Sequence, residues 1–146
     1  MAQILIIDDH PAITRLLSSY CEGKGHAVET AMSGQLGLRL VRESLPDIVL
    51  VDLKLGDMTG IELMTKAKAE GCTARFIFIT GCSEVRTAVA AMRAGALDYI
   101  TKPIDLEALG QVISHAMAQC EAGRTGRKVV IVYPKMPVPA MAVAMA

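Results

Sequence analysis

The stretch "ILIIDDHP" sets two aspartates, Asp8 and Asp9, directly after four consecutive apolar residues, Ile4 to Ile7. The apolar run predicts a strand buried on both faces, so the carboxylates stand at the mouth of a core. Two carboxylates ~4 Å apart repel by about 1 kcal/mol in water and about 4 kcal/mol at the effective dielectric of a protein surface. A positive group is therefore expected between them. Other apolar runs end in chemistry too: Asp52 closes "DIVLVD", Thr80 closes "RFIFIT" and Lys102 closes "LDYITK". Three carboxylates, a hydroxyl and an ammonium would suit a hard divalent cation together with an anion. Magnesium fits the carboxylates, because it takes a few oxygen ligands and fills its shell with water and phosphate oxygens. Singly, each residue has a plainer reading. An acidic pair after a strand commonly caps a helix or a solvated turn, Asp52 can cap a loop, and Lys102 before Pro103 can be an exposed turn residue.

These groups can meet only if the elements bring the strand ends to one edge. Five apolar runs, "QILIID", "HAVETA", "DIVLVD", "RFIFIT" and "LDYITK", read as strands. Between them apolar residues recur at helical spacing: Ile13, Leu16, Leu17 and Tyr20; Leu36, Leu40 and Val41; Ile61, Met64 and Ala67; Val85, Ala88, Val89 and Met92. A fifth stripe, Leu106, Leu109, Val112, Ile113, Ala116 and Met117, follows the last strand. Ser33, Ser83 and Asp105 stand where N-caps belong, and Thr59 and Glu62 have capping-box spacing. Alternating strands and helices of this length imply an α/β fold, a five-stranded parallel sheet covered on both faces. In such sheets ligands bind outside the carboxyl ends of the strands, the edge to which all five chemistry-bearing residues are assigned.

Composition narrows the partners. A chain of 146 residues fits one domain and buries roughly 70% of its unfolded surface without needing a disulfide or structural metal. Fifteen basic and fifteen acidic residues cancel, so no global field recruits nucleic acid or an anionic membrane. Cys21, Cys72, Cys82 and Cys120 form no CxxC pair, and no signal peptide opens the chain, so a reducing cytoplasm is the expected compartment. Residues 1–121 read as one domain and 122–146 as a linker and tail. Within the latter, "GRTGRK" is basic and flexible in character and "VVIVY" a candidate extra strand. "PKMPVPAMAVAMA" is low-complexity sequence that three prolines keep from being helical throughout. The tail is also too short and interrupted to span a bilayer.

Taken together, Asp8 and Asp9, "IVLVDLKLGDMTG" around Asp52, "FIT" ending at Thr80, and "AGALDYITKP" with Tyr99, Lys102 and Pro103 resemble the receiver domain of bacterial two-component response regulators over residues 3–120. The resemblance implies a flavodoxin-like (βα)5 fold, doubly wound, with strand order 2-1-3-4-5. It implies that Asp52 is the phosphoacceptor, receiving a phosphoryl group from a histidine kinase or phosphotransfer protein, or from acetyl phosphate. Asp8, Asp9, Asp52 and the backbone carbonyl of Lys54 would hold Mg2+, and Lys102 would pair with the phosphoryl oxygens. Thr80 and Tyr99 match the switch pair that remodels the face of the fourth helix, fifth strand and fifth helix toward an output domain, a partner protein or a second receiver. The Lys102–Pro103 bond resembles one that is cis in the family. Catalysis would be confined to the domain's own phosphorylation and dephosphorylation, with no enzyme activity on other substrates.

Departures from the family pattern include Gly56, where a proline is common, which points to a looser loop after Asp52. Lys54 and Cys82 stand two after Asp52 and two after Thr80, where family side chains influence phosphoryl lifetime, and Cys82 reads as a small loop side chain rather than a redox thiol. His10, His26 and His115 lack ligand spacing and read as surface or packing residues. A haloacid dehalogenase-type phosphohydrolase would want Asp-x-Asp, whereas two after Asp8 stands His10. A nucleotide- or flavin-binding module would want a glycine-rich loop after the first strand. A docking module without phosphorylation would not need Asp52, Thr80, Tyr99 and Lys102 together. "RTAVAAMRAGALDYITKPIDLEAL" is most similar to receivers attached to ATPase-containing transcription activators.

Overall fold

The computed structural model describes residues 1–81 and 85–125. The strands are β1 (Gln3–Ile7), β2 (Ala27–Ala31), β3 (Ile48–Asp52), β4 (Arg75–Thr80) and β5 (Asp98–Thr101). They alternate with helices α1 (Pro11–Gly23), α2 (Gly34–Ser44), α3 (Gly60–Ala69), α4 (Val85–Arg93) and α5 (Leu106–Thr125). All strand pairs are parallel, in the order β2-β1-β3-β4-β5. The doubly wound α/β sheet expected from the sequence is therefore present. Cys82, Ser83 and the segment with "VVIVY" and the low-complexity tail lie outside the described residues. Helix α5 runs past Glu121 to Thr125.

Three caps hold the helices where the sequence places them. The Ser33 and Thr59 hydroxyls accept the backbone N–H groups of Leu36 and Glu62, at 3.2 and 3.1 Å. The Asp105 carboxylate accepts those of Glu107 and Ala108. Each side chain thus satisfies amides that the first turn leaves without a partner.

The two-residue period of the strands divides the core. Ile4, Ile6, Ile48, Leu50, Ile77, Ile79 and Ile100 face Leu17, Cys21, Leu109, Val112 and Ile113 of α1 and α5. Leu5, Ile7, Val49, Val51, Phe76 and Phe78 face α2, α3 and α4 through Leu38, Val41, Leu63, Met64, Ala88 and Ala91. Each of α1, α2 and α4 leaves one residue of its expected stripe outside the core, Leu16, Leu36 and Met92, while Leu17, Val41 and Ala88 of the same stripes are buried as expected. In α2, Leu36 is exposed while Gly37 and Leu38 are buried, and in α4, Met92 is exposed while Ala88 and Ala91 are buried. In α2 the reason is close approach: a Cβ on Gly37 would stand 2.6 Å from Ile7 Cδ1, so the small residue is the contact.

Register sets the height of each strand end. Ile7 lies beside Val51 and Ala31, Asp52 beside Ile79, and Thr80 beside Thr101. Gly60 locks α3 to this edge, its N–H donating to the Leu53 carbonyl at 2.8 Å. A Cβ on Gly60 would sit 2.5 Å from the Asp52 carbonyl oxygen and 2.7 Å from the Phe78 ring. Backbone cannot yield as a flexible side chain can, so Gly60→Ala should cost about 1–3 kcal/mol in urea unfolding. Gly56 has no atom within 4 Å of its would-be Cβ, and Gly56→Ala should stay within about 0.5 kcal/mol. Equal effects of the two substitutions would contradict this account of how α3 is placed.

Candidate functional site

Asp8, Asp52 and Lys102 come together at the carboxyl edge of the sheet. Asp8 follows β1 and is fully buried; Asp52 ends β3 and is nearly so. Both continue the alternation of the isoleucines facing α1 and α5, which is why two acids from non-adjacent stretches of sequence share one side. Lys102 reaches them from just beyond β5, its Nζ 3.1 Å from Asp52 Oδ2 and 3.4 Å from Asp8 Oδ2. The Lys102–Pro103 peptide is cis. The Lys102 N–H donates to the Thr80 carbonyl at 2.7 Å, fixing where the lysine leaves the sheet.

The remaining polar groups are held by short backbone turns. Asp52 Oδ1 accepts the Lys54 N–H at 3.3 Å, and Lys54 bridges to Thr59 across the loop. Asp57 ties that loop to α2, its carboxylate accepting the N–H groups of Gly34 and Gln35 at 2.8 and 2.9 Å. Those donors hold the Asp57 carboxyl below the usual carboxylate range. On the other flank, the Thr14 hydroxyl donates to the carbonyls of Asp8 and His10, pinning the turn between β1 and α1.

One ammonium lies between two buried acids, and the titration of the site reflects both the pairing and the burial. Burial, then the charge of Asp8, pushes the Asp52 carboxyl up, against the hydrogen bonds from Lys102 and Lys54. For Lys102, burial favours the neutral amine, yet the hydrogen bond to Asp52 and the charges of Asp52 and Asp8 together outweigh it and raise the ammonium's pKa. Asp8 Oδ2 is buried, and the Lys102 ammonium meets it at 3.4 Å, a longer contact than the one it makes to Asp52. Asp9 is partly exposed beside the pair. A divalent ion suits this donor set, and one ligand atom from each of Asp8, Asp9, His10 and Asp52 lies within 4.8 Å of the others.

His10 is the residue that spacing alone overlooked. Its Nδ1 stands 2.9 Å from Asp8 Oδ1, 3.2 Å from Asp9 Oδ1 and 3.8 Å from Asp52 Oδ2. The signal available in the sequence was its adjacency to the acidic pair, just before the proline that starts α1. The other histidines lie elsewhere: His26 accepts the N–H of Ala2, and His115 sits on α5. Thr80 is fully buried, its hydroxyl donating to the Gly81 carbonyl at 3.1 Å. Tyr99 is partly buried against the core under α2, α3 and α4, so Thr80 and Tyr99 belong to the face of the sheet opposite to Asp8 and Asp52.

A carboxyl whose pKa rises on folding makes ionisation work against the fold. Stability falls as pH climbs from about 3.9, the unfolded value, to the raised folded value of Asp52, and the loss persists above it. In metal-free buffer, Asp52→Asn should therefore melt higher than wild type at pH 7. The advantage should shrink as pH falls from the raised folded value to the unfolded value, and be gone below it. A lower melting temperature for the variant at pH 7 would contradict the charge balance described.

The response regulator receiver domain family matches residues 4–114. The regulatory protein AtoC of Escherichia coli K12 is 35% identical over 115 residues, which cover 79% of this chain and 25% of AtoC. The transcriptional regulatory protein ZraR of Salmonella typhimurium is 37% identical over 115 residues, covering 79% of this chain and 26% of ZraR. The chain thus spans about a quarter of the length of these curated relatives. Among solved structures, a response regulator receiver domain protein from Clostridium thermocellum has a TM-score of 0.79 at 30% identity, covering 83% of this chain and 98% of its own. A CheY-like receiver domain protein from Methanospirillum hungatei gives 0.78 at 32% identity, covering 84% and 98%. With the 2-1-3-4-5 sheet and the acidic edge inside the matched span, the chain belongs to the response regulator receiver domain family of two-component systems.

Proposed function

We propose that Asp52 is the phosphoacceptor of this receiver, and that Asp8, Asp9, Asp52 and the Lys54 carbonyl hold the Mg2+ that the reaction needs. The observation that carries this reading is the buried Asp52 carboxylate hydrogen-bonded to Lys102 at 3.1 Å, with a second buried carboxylate beside it. A carboxylate oxygen of Asp52 attacks the phosphorus of a phosphohistidine or of acetyl phosphate. The new P–O bond forms as the P–N or P–O bond to the donor breaks, and the leaving group departs with the electron pair. Magnesium, when bound, neutralises charge on the phosphoryl oxygens. Lys102 adds a fixed positive charge on the other side, so the work of the site is positioning and electrostatics. Its catalysis ends with its own phosphorylation and hydrolysis.

The phosphoryl donor is a histidine kinase or a phosphotransfer protein, in the cytoplasm. Among the described residues no helix is long and apolar enough to cross a membrane. The output runs through Thr80 and Tyr99. Thr80 sits one strand from Asp52, and its hydroxyl turns from the Gly81 carbonyl to a phosphoryl oxygen. Tyr99, paired beside Phe78 on the same face of the sheet, follows into the space released. The face of α4, β5 and α5, where Met92 is already exposed, then changes its affinity for an output domain, a partner protein or a second receiver. Coupling of this kind is typically about 1–3 kcal/mol, a 5- to 150-fold change in affinity.

Incubation with acetyl phosphate should add one phosphoryl mass to the wild-type chain in magnesium and none in chelator. Asp52→Asn should gain none in either; a variant that still gains the mass refutes the assignment. Thr80→Ala should still be phosphorylated, while its amide NMR shifts across residues 86–117 on adding beryllofluoride shrink relative to wild type. Identical shifts in both proteins would remove Thr80 from the relay.

A further inference from the structure

We infer that a second site, at the amino edge of the sheet, binds a small phosphate-bearing anion through Arg75 and Lys68. Arg75 opens β4 beside Ile48, the residue that opens β3, whereas Asp52 closes β3. Four residues of strand separate the two levels, so this site stands about 13 Å from the acidic edge. A cavity of about 260 Å3 lies there among α3, β4, the turn after α4 and α5, and its wall includes Lys68, Arg75, Gly95 and Gln119. Pockets for drug-sized ligands run roughly 300–1,000 Å3, so the occupant is small. Among the described residues no acidic one lines the cavity.

The state of the two cations points to an anion independently of the cavity. Arg75 Nε is shut from solvent and donates to no acceptor, and Nη1 reaches the Thr73 carbonyl only at 3.4 Å. A buried donor left in this way costs free energy that an acceptor would recover. The guanidinium sets its N–H groups in a rigid fork that meets two phosphate oxygens at once. Lys68 is held close by. Its Nζ donates to the Gly95 carbonyl at 2.8 Å, one of the three donors an ammonium carries. Gly95 admits the lysine, since its φ is 116° and a Cβ there would stand 2.7 Å from Nζ. Among the described residues neither Arg75 nor Lys68 forms an ion pair. Two positive charges around one small cavity, with no carboxylate between them, suit a dianion such as a phosphate group. An anion held there would tie α3 and the start of β4 to the turn after α4 and to α5.

The test titrates inorganic phosphate and, separately, glycerol 3-phosphate into the full chain at pH 7.5, against sodium chloride at matched ionic strength. Chelator is present throughout, so the acidic edge holds no metal and its carboxylates repel phosphate. Backbone amides and the Arg75 Nε–H are followed by 15N NMR. The expected result is a saturable displacement of the Arg75 Nε–H and of the Gly95 and Gln119 amides, with the Asp8 and Asp52 amides unmoved. Arg75→Gln and Lys68→Gln should each weaken phosphate binding by about tenfold. Tighter binding of the ester assigns the site to phosphomonoesters, and tighter binding of phosphate assigns it to the free ion. An Arg75 Nε–H that phosphate and its ester move no more than chloride does overturns the inference, even if Arg75→Gln fails to fold. Unchanged phosphate affinity in Lys68→Gln, a change at an exposed position, overturns it as well.

Discussion

Two buried carboxylates, Asp8 and Asp52, share the Lys102 ammonium at the carboxyl edge of the sheet with a third, Asp9, beside them, and the rest of the molecule is arranged around that cluster. Lys102 lies between Asp8 and Asp52, within 3.4 Å of both. Burial first, and then the charge of Asp8, push the Asp52 carboxyl up against the hydrogen bonds from Lys102 and Lys54. Bringing like charges this close costs several kcal/mol in a protein environment, so the strands must hold them there. They do so by register: Ile7 beside Val51 brings Asp8 level with Asp52, and hydrogen bonds at Gly60, Thr14 and Asp57 fix the loops above.

The alternation of side chains along the strands then separates two tasks. Asp8 and Asp52 follow the isoleucine face toward α1 and α5, while Thr80 and Tyr99 follow the phenylalanine face toward α3 and α4. Charge is gathered on one side of the sheet, and the proposed relay runs along the other. Thr80 can serve both because it ends a central strand next to β3, one residue above the level of Asp52. The exposed Met92 and the small buried residues Ala88 and Ala91 leave α4 packed through few bulky contacts. A helix so held is the kind that a change of a few kcal/mol can shift.

Strand ends, caps and the assembly of Asp8, Asp52, Thr80 and Lys102 were legible in the sequence because each follows from local pattern. Parallel strands buried on both faces read as unbroken apolar runs, and the residue that ends each run is placed at one edge by the fold class. What the sequence hid was close approach. Periodicity weighs bulk, so Leu36 and Met92 looked like core beside Ala88, whereas Gly37 and Ala91, outside the expected stripes, are buried with it. Asp57 was hidden because its partners are the amides of a helix 22 and 23 residues away. His10 was hidden because its neighbours are carboxylates of its own turn and of a distant strand, not a second histidine or cysteine at ligand spacing.

The central claim is that this edge carries a charge deficit that a divalent cation relieves. A cation that binds only the folded form raises its stability by RT ln(1 + [L]/Kd), about 2.7 kcal/mol at a hundredfold excess over Kd, which is several degrees in a domain this size. The direct measurement is the melting temperature of the chelator-treated chain as Mg2+ is added, against sodium chloride at matched ionic strength. A rise with Mg2+ that sodium does not reproduce, and that Asp8→Ala abolishes, is the result predicted. A melting temperature that responds to the two salts alike would contradict it.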